Sequence, residues 1–434
     1  MADLNDSPRV VILGGGLTGI SAALHLKQPW TLIEKDDRLG GHARTEETRG
    51  FYFDKTGHWL HLRDPSIKAL VAELLPDQMT TVARKASIFS NGVLTRYPFQ
   101  GNLYGLPPAV LSECLIEFVR AQVQEKANPP SPPKNFEEFC LQKFGAGISK
   151  HFMIPYNHKL WGVHPREITS EWCSRFVPIP KMEDVIKGAV GDLPPEIGYN
   201  ISFLYPKKGG IETLTRALVS QMTGGEVRLS TSVESIDLTK KTVTAGGKTV
   251  PYTSIVASIP LPEICRRIVG APAEILEAAG KLRCTAVRYL NVATKRSPKV
   301  DFHWLYVPEE KYPFYRVGIY SNAVPSMAPE GKGSLYVELS DRGPLPSMED
   351  LMARVAPALV ECGIIDSPDD ILFADLRELK YAYVVFDDNY YKSVATLTEY
   401  LESHKIYPRG RYGSWIYNAM EDSILAGREI ALKL

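Results

Sequence analysis

Val10-Val11-Ile12-Leu13-Gly14-Gly15-Gly16-Leu17-Thr18-Gly19 is the stretch whose reading decides the fold. An apolar strand runs into a glycine-rich turn and then a helix, and a second strand ends at Glu34. Gly14 allows a tight turn, Gly16 lets the backbone approach a pyrophosphate, and Gly19 lets the helix pack on the sheet. The helix N-terminus then faces the phosphates. Glu34, twenty residues after Gly14, is placed to accept hydrogen bonds from ribose hydroxyls. Strand, glycines, helix, strand and acid in register predict an ADP-ribose site on a Rossmann-like unit.

Directly after the acid, Arg38-Leu39-Gly40-Gly41-His42-Ala43-Arg44 supplies a glycine pair between arginines, where a second backbone loop can meet a diphosphate. This resembles the FAD-binding signature of the group containing flavin amine oxidases, protoporphyrinogen oxidases and UDP-galactopyranose mutases. The resemblance implies FAD rather than NAD as the tightly held cofactor, with Arg38, Gly40, Gly41 and His42 beside it.

A chain of 434 residues is long enough for two or three domains and a large core. Fifty basic residues balance fifty acidic ones, so no net field draws the chain to nucleic acid or membrane. Any anion site must then be a local cluster of arginines. Cys114, Cys140, Cys173, Cys265, Cys284 and Cys362 are scattered without CxxC spacing, which predicts neither a metal site nor a disulfide framework. The polar, acidic start, Met1 to Asp6, leads straight into the first strand and leaves no room for a signal peptide. No apolar run approaches the ~20 residues of a membrane helix. A cytoplasmic enzyme is the expectation; the oligomeric state is not legible.

The fold expected is α/β: a discontinuous FAD-binding domain of residues 1–85, 205–265 and 395–434, a mainly helical lobe over 86–204, and an antiparallel sheet domain over 266–394. Strand and helix signals alternate to about residue 75, and short strands return at 227–258, with Val233 placed to meet the adenine. Residues 285–320 and 333–340 alternate as an antiparallel sheet does. An amphipathic helix, Asp422 to Leu432, follows a glycine-rich turn.

Four further segments crowd aromatic, arginine and amide residues beyond what packing requires. Gly57-His58-Trp59-Leu60-His61 follows the strand Phe51 to Asp54, where ligands collect at carboxyl ends. Arg96 to Asn102 reads by itself as a strand end and turn. Phe152 to Trp161, with Trp172 and Arg175, offers flat faces beside an amide and cations, which suits either a nucleobase with its phosphates or an aromatic core. In Phe302 to Arg316, an arginine among aromatics needs either a carboxylate partner or an anionic ligand. Arg411, in Gly410 to Tyr417, poses the same question.

FHWLYVPEEKYPFYRVGIYSN at Phe302 to Asn322, YPFQ at Tyr97 to Gln100, PYNHKLW at Pro155 to Trp161 and GRYGSWIY at Gly410 to Tyr417 together resemble the UDP-galactopyranose mutase family, particularly its eukaryotic branch. The blocks occur in order over nearly the whole chain, which lacks several insertions of that branch. The resemblance implies that Phe152, Asn157, Trp161 and Asn200 surround the nucleotide. It implies further that Tyr97, Gln100, Tyr306, Arg316, Tyr383, Arg411 and Tyr417 hold the diphosphate and sugar, and that His58 lies beside the flavin. The run Met420-Glu421-Asp422-Ser423 resembles the segment that closes on FAD at a helix N-terminus, which implies Met420, Asp422 and Ser423 beside the cofactor. One departure stands out: where the family carries a second phosphate-binding arginine this chain has Phe176, with Arg175 one residue earlier.

The activity implied is interconversion of the pyranose and furanose forms of a nucleotide sugar, UDP-galactopyranose and UDP-galactofuranose by default, through an adduct between N5 of reduced flavin and the sugar. Arg316 and Arg411 would stabilise the leaving diphosphate, and NADPH or NADH would serve as reductant. Two rivals share the fingerprint: an FAD-dependent oxidase or dehydrogenase of the amine or protoporphyrinogen oxidase type, and a catalytically idle flavoprotein scaffold.

Overall fold

The computed structural model describes residues 9–171, 177–191, 202–344 and 346–434. Its first sheet is built on strand Arg9–Leu13, which pairs in parallel with Trp30–Ile33 on one side and Lys248–Ala257 on the other. Val10 to Leu13 are wholly buried, as a central parallel strand covered on both faces requires. Gly225–Arg228 extends the sheet beyond Trp30–Ile33. On the far edge, Lys248–Ala257 pairs antiparallel with Thr242–Ala245 through its first half and parallel with Ile406–Pro408 through its last three residues. One sheet thus gathers strands from three distant segments.

The second sheet runs Ile371–Val384, Cys284–Thr294, Gly333–Leu339, Phe314–Ile319, Trp304–Tyr306, Ala86–Ser90 and Val93–Arg96. All its pairings are antiparallel except Trp304–Tyr306 with Ala86–Ser90. The sequence reading puts 86–96 at the start of the helical lobe. Those residues instead form a hairpin on the edge of this sheet, because Ile88 and Phe89 bury against its core. The strand Ile371–Val384 and the helices Met348–Glu361 and Tyr390–Ser403 are elements the sequence reading does not assign.

The region after the hairpin is helical. Pro108–Ala127 and Phe136–Ile148 pack tightly, with Gly145 and Gly147 so close to the backbone at Glu113 to Phe118 that neither tolerates a Cβ. The proline-rich stretch Pro129 to Pro133 joins these two helices. Ile154–Trp161 follows and ends at Gly162, whose φ of 66° closes the helix in a left-handed cap. No helix among the described residues is long and apolar enough to cross a membrane. The five described cysteines are free; Cys284 is half-buried and the others are buried.

Between the sheets, a carboxyl group anchors the short ribbon Thr45–Thr48 and Phe51–Asp54. Asp54 accepts from Tyr205 Oη (2.5 Å), Thr45 Oγ1 (2.7 Å) and the Ile211 amide (3.2 Å). Burial pushes its pKa up to about 7 against those three hydrogen bonds. Tyr320 Oη, in the turn after Phe314–Ile319, donates to the carbonyls of Asp54 (3.0 Å) and Thr56 (2.8 Å) and so holds the turn leading to His58.

Candidate active site

The fingerprint loop has the shape of a phosphate cradle. Gly14 sits at φ 99°, and Gly16 caps the helix Leu17–His25 with no side-chain hydrogen bond to its first-turn amides. Those amides are the donors an anion takes at a helix N-terminus. A Cβ on Gly16 would meet nothing nearer than Gly41 Cα at 4.0 Å, so the backbone there is bare. A Cβ on Gly19 would collide with the Gly14 carbonyl, which is why strand and helix can approach so closely. The second loop lies against the first: the Gly40 amide donates to the Gly15 carbonyl at 2.7 Å.

Glu34 Oε2 accepts from the Gly15 amide (2.6 Å) and Oε1 from the Asp36 amide (2.9 Å), so its carboxylate is fixed beside the loop. The Thr231 amide donates to the Glu34 carbonyl at 2.9 Å, which brings the chain past Glu34 two residues before Val233. Arg38 turns to Glu212 (3.5 Å) and to the Thr45 carbonyl (3.4 Å). Bare glycine backbone, free first-turn amides and an oriented carboxylate together fit the diphosphate and ribose of a dinucleotide.

At the C-terminal end, Asp422 accepts from the Ala419 amide (2.8 Å) and caps the helix Met420–Lys433. Ser423 Oγ turns back to the Ala419 carbonyl (3.3 Å). This helix crosses the fingerprint helix so closely that a Cβ on Gly427 would strike the Thr18 carbonyl. Ser21 Oγ donates to the Ile424 carbonyl at 2.7 Å. Buried Glu421, in the same run, accepts from the amides of Arg63 (2.6 Å) and Asp64 (2.7 Å) and ties the helix to the loop after His61.

His58 Nδ1 lies 3.4 Å from the Thr56 carbonyl. Burial lowers its pKa to about 4, and nearby Arg411 and Lys55 also disfavour a second proton. His42, within 3.0 Å of Tyr412 Oη, is depressed by burial and by His58. Lys55 donates to the Gly41 carbonyl (3.3 Å) and is lowered to about 8 by burial, with Arg44 beside it. A histidine whose folded pKa lies below its unfolded value favours folding above the unfolded pKa, and that contribution is lost as pH falls towards 4. His58 is therefore expected to stay neutral across pH 5–8. NMR of ring-15N-labelled protein checks this: a His58 midpoint between 6 and 7 would make it a proton shuttle instead.

The second sheet carries a polar ladder on one face. Tyr306 is the cross-strand partner of Arg316, and Arg316 of Glu338. Arg316 donates through Nε and Nη2 to the two oxygens of Glu338 at 2.9 and 2.7 Å, and through Nη2 to Tyr383 Oη at 3.0 Å. Glu338 is 1% exposed. The choice posed by the sequence, carboxylate or ligand, thus resolves for Arg316 to a carboxylate. Period-two alternation in Ser334-Leu335-Tyr336-Val337-Glu338-Leu339 contains a single acid, and that was the signal for it.

Arg411 differs. Nη1 and Nη2 donate to the carbonyls of Asn418 (2.6 Å) and Ala382 (2.9 Å), and its guanidinium lies 4.7 Å from the Tyr417 ring centre and 5.8 Å from Tyr383 and Tyr412. Among the described residues no carboxylate lies within ion-pair distance of it. Tyr383 and Tyr417 stack at 6.0 Å, Tyr97 lies 5.1 Å from Tyr306, and Trp304 Nε1 donates to Tyr306 Oη at 2.8 Å. Arg84, also passed over in the sequence, lies 4.5 Å from the Tyr97 ring centre and 5.0 Å from that of Trp304.

Behind the tyrosines sits an aromatic layer. Phe152 is stacked between Phe99 (5.0 Å) and Tyr156 (5.2 Å), and Trp161 meets Tyr383 edge-on at 5.6 Å. Both are buried, so the packing reading left open by the sequence describes their rings. Asn157 Nδ2 donates to the Met153 carbonyl (2.7 Å) and Gln100 Nε2 to the Pro178 carbonyl (3.0 Å). Arg175 and Asn200, with Trp172 and Phe176, lie outside the described residues.

The family model for flavin containing amine oxidoreductases matches residues 17–431. Among curated proteins, protoporphyrinogen oxidase 2 of Arabidopsis thaliana is 26% identical over 34% of this chain and 31% of its own length. The coproporphyrinogen III oxidase of Mycobacterium tuberculosis is 36% identical over 22% of this chain and 21% of its own length. The matched segments thus span less than a third of these curated relatives. Among solved structures, a reduced UDP-galactopyranose mutase superposes with a TM-score of 0.90 at 26% identity, over 98% of this chain and 95% of that one. A putative protoporphyrinogen oxidase from Exiguobacterium shares the fold at a TM-score of 0.76 and 16% identity, with 99% of each chain covered. With a glycine-rich phosphate cradle, a helix packed across it and a family match over residues 17–431, the chain belongs to the flavin-containing amine oxidoreductase family.

Proposed function

We propose that this flavoprotein is a nucleotide-sugar mutase, interconverting the pyranose and furanose forms with UDP-galactopyranose and UDP-galactofuranose as the default pair. The observation that carries the reading is Arg411, a cation held by two carbonyls and three tyrosine rings with no described carboxylate at ion-pair distance. A cation so held repels an amine substrate and suits a diphosphate. Likeness to the reduced mutase over nearly the full length of both chains supports it.

Bound FAD, once reduced, supplies a nucleophilic nitrogen toward the anomeric carbon. The chain supplies the rest. Arg411 neutralises the diphosphate as it leaves and keeps it near for return, and Arg316, its fork held by Glu338, presents its remaining N–H edge and the Tyr383 hydroxyl. Tyr97, Tyr306 and Tyr417 orient the sugar. His58, neutral, holds the turn beside the flavin without delivering a charge to it.

UDP-galactofuranose incubated with dithionite-reduced protein and separated by chromatography is expected to yield the pyranose, and oxidised protein none. NADPH or NADH is expected to replace dithionite. Equal conversion by oxidised enzyme would overturn the requirement for reduction. Steady oxygen consumption with an amine or porphyrinogen, without conversion, would favour an oxidase.

A further inference from the structure

Lys159 lies in the last turn of the helix Ile154–Trp161 and is 7% exposed, yet it has no carboxylate partner among the described residues. Its Nζ instead donates to four backbone carbonyls of one turn: Val307 (3.1 Å), Glu309 (2.8 Å), Tyr312 (3.1 Å) and Phe314 (2.7 Å). That turn joins strand Trp304–Tyr306 to strand Phe314–Ile319, the pair carrying Tyr306 and Arg316. The same helix carries Tyr156, whose ring meets Tyr306 edge-on at 5.3 Å. Burial pulls the ammonium down to about 7, while four inward-pointing carbonyl dipoles favour the charged form, which offers three donors rather than two. Arg342 Nη2 braces the helix end from outside, donating to the carbonyls of Lys159 (2.9 Å) and Leu160 (3.2 Å).

We propose that Lys159 is a positioning residue: its ammonium fills a four-carbonyl cage in the Val307–Phe314 turn and so sets the helix bearing Tyr156 and Asn157 against Tyr306 and Arg316. The assignment takes its ligand from the nucleotide-sugar reading. A cage of four carbonyls suits a small monovalent cation, so a hole left by the side chain should accept free ammonium.

The test uses the FAD-loaded, reduced protein with UDP as probe, measured by calorimetry, together with steady-state kinetics. Lys159→Met, which fills the space without donating, is expected to weaken UDP binding and raise KM about tenfold, with kcat within about threefold and the flavin spectrum unchanged. Lys159→Ala is expected to behave alike until about 0.1 M ammonium chloride is added, which should bring its UDP affinity and KM to within about threefold of wild type. Sodium chloride should not do so, and Lys159→Met should not respond. Wild-type affinity in Lys159→Met, or equal responses of both variants to ammonium, would overturn the assignment. Should neither variant accumulate, Lys159→Gln keeps two donors and is expected to lose affinity about threefold; unchanged affinity there also overturns it. Wild-type protein that binds no UDP would count against the nucleotide-sugar reading instead. The cage is then judged by melting temperature, which ammonium must raise in Lys159→Ala and leave unmoved in Lys159→Met.

Discussion

Arg316→Ala is expected to destabilise the folded chain by about 3–5 kcal/mol as well as to abolish turnover, because it strands the Glu338 carboxylate in the sheet without its partner. The two effects have different origins and separate in a second variant. Arg316→Met combined with Glu338→Gln removes both charges, so most of the lost stability should return. Turnover should not, since the cation facing the proposed diphosphate is still missing; a fall of about a thousandfold in kcat is the scale for losing such a donor. Urea unfolding of the flavin-loaded protein measures the first effect and the UDP-galactofuranose assay the second. Arg316→Ala with unchanged unfolding would mean that the Glu338 pair does not anchor the strand. Recovered turnover in the double variant would remove Arg316 from the chemistry.

Gly16→Ala and Gly19→Ala are expected to lose flavin for opposite reasons. At Gly19 the new methyl meets the Gly14 carbonyl, a backbone atom that cannot move without parting strand from helix. That variant should unfold more readily and hold no cofactor. At Gly16 the backbone is extended (φ −75°, ψ 179°), a conformation alanine adopts without strain, and no protein atom is closer than 4.0 Å to the new methyl. The apo-protein should therefore melt as wild type does. Its methyl stands where the pyrophosphate must approach, and flavin affinity should fall about a hundredfold, or ~2.7 kcal/mol. Fluorescence titration of the apo-proteins with FAD, beside their melting curves, reads both. Full flavin retention by Gly16→Ala would place the diphosphate elsewhere.

The cofactor cradle was legible because everything it needs lies within 35 residues and is written in local terms: apolar run, glycines, acid. The arginine and tyrosine cluster was legible only in part. Arg316 announced that it needed a partner, but its partner stands 22 residues away across a strand register that the chain does not spell out locally. The hairpin at 86–96 shows the same limit: alternation identifies a strand and not the sheet it joins. Ile371–Val384 escaped notice because Asp375, Arg377, Glu378 and Lys380 make a sheet-edge strand read as polar loop. The helix Met348–Glu361 has Leu351, Val355 and Leu359 on one face and could have been read, despite Pro357 inside it. Phe152 and Trp161 were found as aromatics; whether a ring is a platform or a support depends on neighbours brought by folding.

The crossing of the fingerprint helix by Met420–Lys433 has a consequence for biosynthesis. Ser21 is held by Ile424, 403 residues away, and Thr18 is pressed by both Gly410 and Gly427. The phosphate loop thus leaves the ribosome some 403 residues before the segment that backs it. Contacts of such long range form late. Cofactor capture therefore waits until residues 410–427 have been made, and a nascent chain halted before residue 410 carries the signature of a flavoprotein without the means to keep its flavin.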